Sequence, residues 1–234
     1  MNRLGLGLLA RPQIQPPPLP GNVVALFDPL FGIASSGGVV DSWTARFGTG
    51  LLTAAGGVRP ALGADYLEFD GIDDVLSGAA LALGGLAGAT LGFWLRQTGP
   101  LANAVPVETS DFPTGLLVVS GASFVDCFSG SAQVARSTGP VTANSWTFFA
   151  LTFDGAAGAG LKTKLFAGAT PGAVANVTSF DNTANTTLPA PTGNTRIGGR
   201  STVFFPGRIG IVAAYNTPLS LPQIQALAAY RIPA

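Results

Sequence analysis

The segment Trp146-Thr147-Phe148-Phe149-Ala150-Leu151-Thr152-Phe153 constrains the fold of this chain more than any other. Phe149, Leu151 and Phe153 share a face at period two, which is the spacing of a strand. The run leads into Asp154-Gly155, a turn signal. Other strands are expected at residues 23–27, 65–69, 90–96, 115–120, 123–129, 132–137, 162–167, 176–181 and 208–215. In the second of these, Leu67 and Phe69 take one face and Tyr66 and Glu68 the other. The 32 glycines and 18 prolines are spread along the whole chain, as many turns between short strands require.

One helix is expected, close to the C-terminus. Ser220 caps it, Gln223 completes a capping box, and Pro222 falls in the first turn where its missing N–H costs nothing. Ile224, Leu227 and Ala228 then form an apolar face. About a dozen strands and one short helix in 234 residues predict a single large sandwich or jelly roll.

Residues 1–22 differ from the rest. Pro12, Pro16, Pro17, Pro18 and Pro20 favour an extended polyproline path and cannot donate ladder hydrogen bonds. Arg3, Leu4, Leu6, Leu8, Leu9, Arg11, Ile14 and Leu19 complete the segment. We read it as an assembly arm, with residues 23–234 as the folded domain. Its opening imitates a signal peptide, but the apolar stretch of seven residues is broken by glycines and closed by Arg11. It is therefore expected not to be a leader. Burial of its leucines against neighbours supplies up to ~1.5–3 kcal/mol each.

Charge bears on partners. Only 10% of residues are charged and 47% are hydrophobic, so much of the surface is expected to be covered by neighbours or copies of itself. Twelve basic and twelve acidic residues cancel, leaving no field to attract nucleic acid. No segment reaches the ~18 continuous apolar residues of a membrane span. The single cysteine, Cys127, reads as a small strand residue.

Three segments in register resemble the laminin-G-like, concanavalin A-like jelly-roll family. They are Leu67-Glu68-Phe69-Asp70-Gly71-Ile72-Asp73-Asp74, the Trp146 strand through Asp154-Gly155, and a closing stretch. That stretch comprises Arg196-Ile197-Gly198-Gly199, Phe205-Pro206-Gly207-Arg208-Ile209 and Tyr215-Asn216-Thr217-Pro218-Leu219-Ser220. The resemblance implies an all-β, antiparallel β-sandwich jelly roll with one short C-terminal helix, here preceded by an extended N-terminal arm. Arg59-Pro60-Ala61-Leu62 and the opening Arg3-Leu4-Gly5-Leu6-Gly7-Leu8 are similar to laminin-G-like virion proteins of tailed bacteriophages. That narrower likeness implies a structural virion protein, such as a capsid decoration or tail-associated protein, anchored by its arm. Its partners would be capsid or tail subunits and copies of itself. The alternative is a carbohydrate-binding adhesin or receptor-binding fibre protein that contacts host glycans.

Candidate sites are weighed on this frame. Related glucanases carry paired carboxylates in an E-x-D-x-x-E pattern. Glu68-Phe69-Asp70 begins it, but the next acids are Asp73 and Asp74, and Glu108 is the one other glutamate. With no histidine, Ser-His-Asp and Cys-His catalysis and most zinc sites are excluded. The chain is therefore expected to be non-enzymatic, with no catalytic residue and no cofactor. Asp70, Asp73 and Asp74 are calcium candidates, though turn formation and capping of backbone N–H groups is the better reading. Asp111 reads as a solvated loop acid. Trp43, Trp94 and Trp146 could make a sugar platform, but core packing is favoured. The polar stretch 176–187 could line a glycan-contacting loop or be a solvated hairpin edge.

Overall fold

The computed structural model describes residues 22–54, 56–99, 104–111, 116–120, 124–129, 132–138 and 142–234. Its strands pair antiparallel and lie in two facing layers. The first layer runs, in spatial order, Val23–Phe27, Pro206–Tyr215, Gly88–Gln97, Trp146–Asp154, Thr163–Gly168 and Ala175–Asn176. Leu67–Asp70 extends it, paired to the beginning of Pro206–Tyr215. The second layer begins with Ile33–Ser36, Val39–Thr44, Leu51–Thr53, Leu76–Ala79 and Asn194–Ile197. It continues through Ala104–Glu108, Leu116–Ser120, Phe124–Ser129, Ala132–Thr138 and Thr178–Asp181. Neighbours distant in sequence, such as Val23–Phe27 beside Pro206–Tyr215, give the crossing connections of a jelly roll.

The space between the layers is filled by one face of each strand. Leu91, Phe93 and Leu95 meet Phe149, Leu151 and Phe153 across the Gly88–Gln97 and Trp146–Asp154 ladder, and Val40, Leu52, Leu76, Val107 and Ile197 come from the second layer. This is the face that the period-two pattern requires. Phe148 and Ala150, on the other face, are equally buried, because the helix Leu221–Tyr230 covers the first layer from outside. Trp94, Phe148, Phe166 and Ile211 pack there against Ile224, Leu227 and Ala228. A strand buried on both faces reads as a continuous apolar run rather than as strict alternation.

Two details allow the helix to sit this close. At Gly92 a β-carbon would come within 2.9 Å of Leu227 Cδ2 and 3.2 Å of Phe148 Cζ, so the missing side chain makes room. The Trp94 indole N–H donates to the Ala228 carbonyl at 3.1 Å, which satisfies the single polar atom of a fully buried ring. The helix begins as expected, with the Ser220 amide donating to Gln223 Oε1 at 2.9 Å.

The end of the helix is fixed by a buried carboxylate. Asp28 is fully buried at the end of Val23–Phe27. Its Oδ2 accepts from Arg46 at 2.9 Å, from the Tyr230 hydroxyl at 3.0 Å and from Arg231 at 3.1 Å. Four hydrogen-bonding and ionic partners, counting the Leu30 amide on Oδ1, offset the desolvation of the charge.

Some expectations are refined. Residues 176–181 are not one strand: Ala175–Asn176 belongs to the first layer and Thr178–Asp181 to the second. The chain crosses at Val177, where Asn176 Oδ1 accepts the Thr178 amide at 2.9 Å. Cys127 lies on the strand Phe124–Ser129, opposite Val118 and Ala135. Of the arm, residues 1–22, all but Asn22 lie outside the described residues.

Candidate functional site

The outer face of the first layer is not covered to its end. Beyond the first turn of the helix, Trp146–Asp154 and Thr163–Gly168 continue, and their outward residues border an open cleft of about 380 Å3. Strand periodicity decides what faces it. Thr163 and Leu165 point into the sandwich, so Lys164 and Phe166 point outward. Thr152 lies opposite Lys164, and Asn176 lies opposite Phe166. Asp154, Leu161 and Lys162 close one side, and residues 218–221, the lead-in to the helix, close the other.

The walls are held by local geometry. Gly155 packs so tightly on the Thr186 carbonyl that a β-carbon there would overlap it, so the turn read from Asp154-Gly155 is also a close backbone approach. Asp154 Oδ1 accepts the Ala156 amide at 3.1 Å. The Lys162 ammonium donates to the carbonyls of Ala184 and Asn185 at 2.9 and 3.1 Å. Asn176 uses its oxygen on Thr178, which leaves its two amide donors for the cleft. Polar groups beside apolar Phe166 and Leu161, in a concavity of this size, are the attributes of a small-ligand site.

The residues singled out from sequence fall elsewhere. Asp70, Asp73 and Asp74 do come together, with one ligand atom of each within 4.8 Å of the others. Their bonds are those of a turn: Asp70 Oδ1 accepts the Ile72 amide at 2.7 Å, and Asp74 Oδ2 accepts the Asp70 amide at 2.9 Å. Burial, then the neighbouring Asp70 and Asp73, raises the Asp74 carboxyl above its ordinary range. Hard carboxylate oxygens so close together are the donor type that calcium takes. Glu68 pairs with Arg208 at 3.2 Å on the far side of the first layer. Glu108 is fully buried between Arg196 and Arg200.

Asp111 is not the solvated acid expected. Arg196 projects from the neighbouring strand and pairs with both Glu108 and Asp111, and Asp111 also accepts the Asn194 amide at 3.3 Å. Trp43 and Trp94 are core residues. Trp146, at the start of its strand, is half-buried, packs against the cluster under the helix and meets Tyr66 at 5.9 Å between ring centroids. From the polar stretch, Asn176 reaches the cleft. The assembly residues Arg3, Leu4, Leu6, Leu8, Leu9, Arg11, Pro12, Ile14, Pro16, Pro17, Pro18, Leu19 and Pro20 lie outside the described residues.

A two-layer antiparallel jelly roll, backed on one face by a C-terminal helix, defines the class of this protein. The model of the concanavalin A-like lectin/glucanases superfamily matches residues 70–225, and the chain belongs to that superfamily. No curated protein matches the chain in sequence. Solved structures share the fold at low identity. A Trypanosoma rangeli sialidase in complex with sialic acid superposes with a TM-score of 0.61 at 14% identity, over 88% of this chain and 32% of that one. The chain thus spans about a third of the sialidase. Domain 4 of AbnA, a GH43 extracellular arabinanase from Geobacillus stearothermophilus, in complex with arabinotriose, gives 0.60 at 15% identity over 88% and 98%. A SAP-like pentraxin from Limulus polyphemus gives 0.51 at 10% identity over 74% and 84%.

These matches correct the expectation of a non-enzymatic protein. The fold occurs here within a sialidase and a GH43 arabinanase, both glycoside hydrolases. A carboxylate pair and a histidine are requirements of particular reactions and not of the fold, so their absence does not exclude hydrolysis as a class.

Proposed function

We propose that this chain is a carbohydrate-binding β-sandwich domain and that the cleft beside the helix receives the sugar. The observation that carries the reading is the convergence of Asp154, Lys164 and Asn176 on a cleft whose floor includes Phe166. A sugar presents hydroxyls at its edge and C–H groups on its faces. It therefore needs polar groups that donate and accept next to an apolar surface. Asp154 supplies an acceptor, Asn176 and Lys164 supply donors, and Phe166 and Leu161 supply the apolar contact. A domain matched along nearly its whole length, that of the arabinanase, is bound to an oligosaccharide, which supports the reading.

Titration calorimetry of the full chain against a panel of mono- to trisaccharides tests it. At least one sugar should bind, and Asn176→Ala with Asp154→Ala should weaken it by about thirtyfold, the loss of two hydrogen bonds of about 1 kcal/mol each. A panel without a binder, or binding untouched by both substitutions, overturns the assignment to this cleft. Assembly on a particle is a second reading. It rests on the sparse charge and the proline-rich first 22 residues, and so uses a different part of the chain.

A further inference from the structure

We infer that the cleft prefers acidic sugars, with an anionic substituent of the glycan held between Lys162 and Lys164; this rests on the carbohydrate reading of the same cleft. The starting point is where the positive charge of the chain lies. Twelve basic residues include two lysines, Lys162 and Lys164, and both line this cleft. Most of the described arginines are used differently. Arg46, Arg59, Arg196, Arg200, Arg208 and Arg231 each meet a carboxylate. Neither lysine does. The Lys162 ammonium is held by two neutral carbonyls, and the Lys164 ammonium has no hydrogen bond or ion pair among the described residues.

Asp154 is the one acid on the lining, and it forms no ion pair with either lysine. The cleft therefore carries two positive charges and one negative charge, on a chain whose formal net charge is zero. In a protein with 10% charged residues, an unneutralised pair of ammonium groups in one concavity is a selective arrangement. The buried Phe166 beside them lowers the local dielectric, which strengthens an ionic contact relative to one in open water. Asp154 has a part to play as well, since a carboxylate can accept from the hydroxyls of the same sugar. With no net charge to act at distance, the preference is a contact effect, realised once the anion is seated.

Carboxylate and sulfate share this chemistry, so the test separates them. The full chain is titrated with a neutral disaccharide, a hexuronate-containing disaccharide and a sulfated disaccharide of the same linkage. At least one acidic ligand should bind about tenfold more tightly than the neutral one, as charge-assisted hydrogen bonds are about twice as strong as neutral ones. The stronger of the two names the anion. Raising salt from about 0.05 to 0.5 M should shrink the gap. Lys162→Gln with Lys164→Gln should abolish it, while Lys164→Arg should keep it. If the double variant fails to fold, the salt series and Lys164→Arg decide. Equal affinity for neutral and acidic ligands, or a preference that survives the double substitution, overturns the inference and leaves the carbohydrate reading standing. Binding of none of the three overturns both.

Discussion

The Thr90 hydroxyl holds Leu219 in place: it accepts the Leu219 amide hydrogen at 2.9 Å and donates to the neighbouring Thr217 carbonyl at 2.8 Å. Thr90 is fully buried on Gly88–Gln97. One side chain thus fastens the lead-in to the helix, which is also a wall of the cleft, to the middle of the first layer. Thr90→Val keeps the shape and removes both bonds, leaving the Leu219 amide unsatisfied. We expect a loss of about 1–3 kcal/mol, read as a lower urea midpoint with unchanged slope. Sugar affinity should fall with it, because the wall is no longer fixed.

Asp28 should be costlier to lose. Its removal leaves Arg46 and Arg231 without their carboxylate and Tyr230 without its acceptor. Asp28→Ala is expected to destabilise the fold by about 3–5 kcal/mol in urea denaturation, the usual result of breaking a buried ion pair from one side.

Tyr230 sets an alkaline limit. Burial first, then the adjacent Asp28, pushes its hydroxyl from 10.0 up to about 12. Burial also raises Tyr215. The folded protein therefore keeps protons that the unfolded chain releases, so this stability is complete below pH 10 and is lost as pH rises towards 12. Melting temperatures measured from pH 9 upward should fall across that window. Tyr230→Phe should start lower and fall less steeply.

Asp74 works in the opposite sense from a salt-bridged acid. Its carboxyl is raised above 3.8 by burial, so the folded state favours the proton and ionised Asp74 is unfavourable at neutral pH. Asp74→Asn retains an oxygen for the Asp70 amide and removes the charge. Its melting temperature at pH 7 should exceed that of the parent, and the gap should close as pH falls through the carboxylate range. If the three acids serve the turn, millimolar calcium leaves the parent unchanged; a rise that Asp74→Asn abolishes would make them ligands.

Removing residues 1–20 should leave the sandwich intact. The first described backbone bond of the domain is that of Asn22, whose carbonyl accepts from the Asn216 amide at 3.1 Å. The truncated chain should melt within a few degrees of the parent, whatever it does to particle assembly.

Much of the architecture could be read from local pattern. Phe149, Leu151 and Phe153 declare a strand by spacing alone, and Ser220 with Gln223 declares the start of the helix. What escaped depends on residues far apart. Asp28 and Tyr230 are 202 positions apart, and nothing near either one announces the other. Asp111 read as solvated because Arg196 arrives from 85 residues away. Short strands such as Leu51–Thr53 and Asn194–Ile197 are made by pairing rather than by propensity. The cleft was half legible. Asn176 lies in a stretch whose polarity is plain, but its neighbours come from three separate segments. Both lysines were visible from the start; that each lacks a carboxylate is a property of the folded chain.

That placement has a practical side. Lys162 and Lys164 hold all the side-chain amines of the protein, so an amine-directed dye or crosslinker, apart from the α-amine, can attach at one place on this fold. Labelling stoichiometry then becomes a footprint of the cleft, and a compound that occupies it declares itself by slowing the reaction.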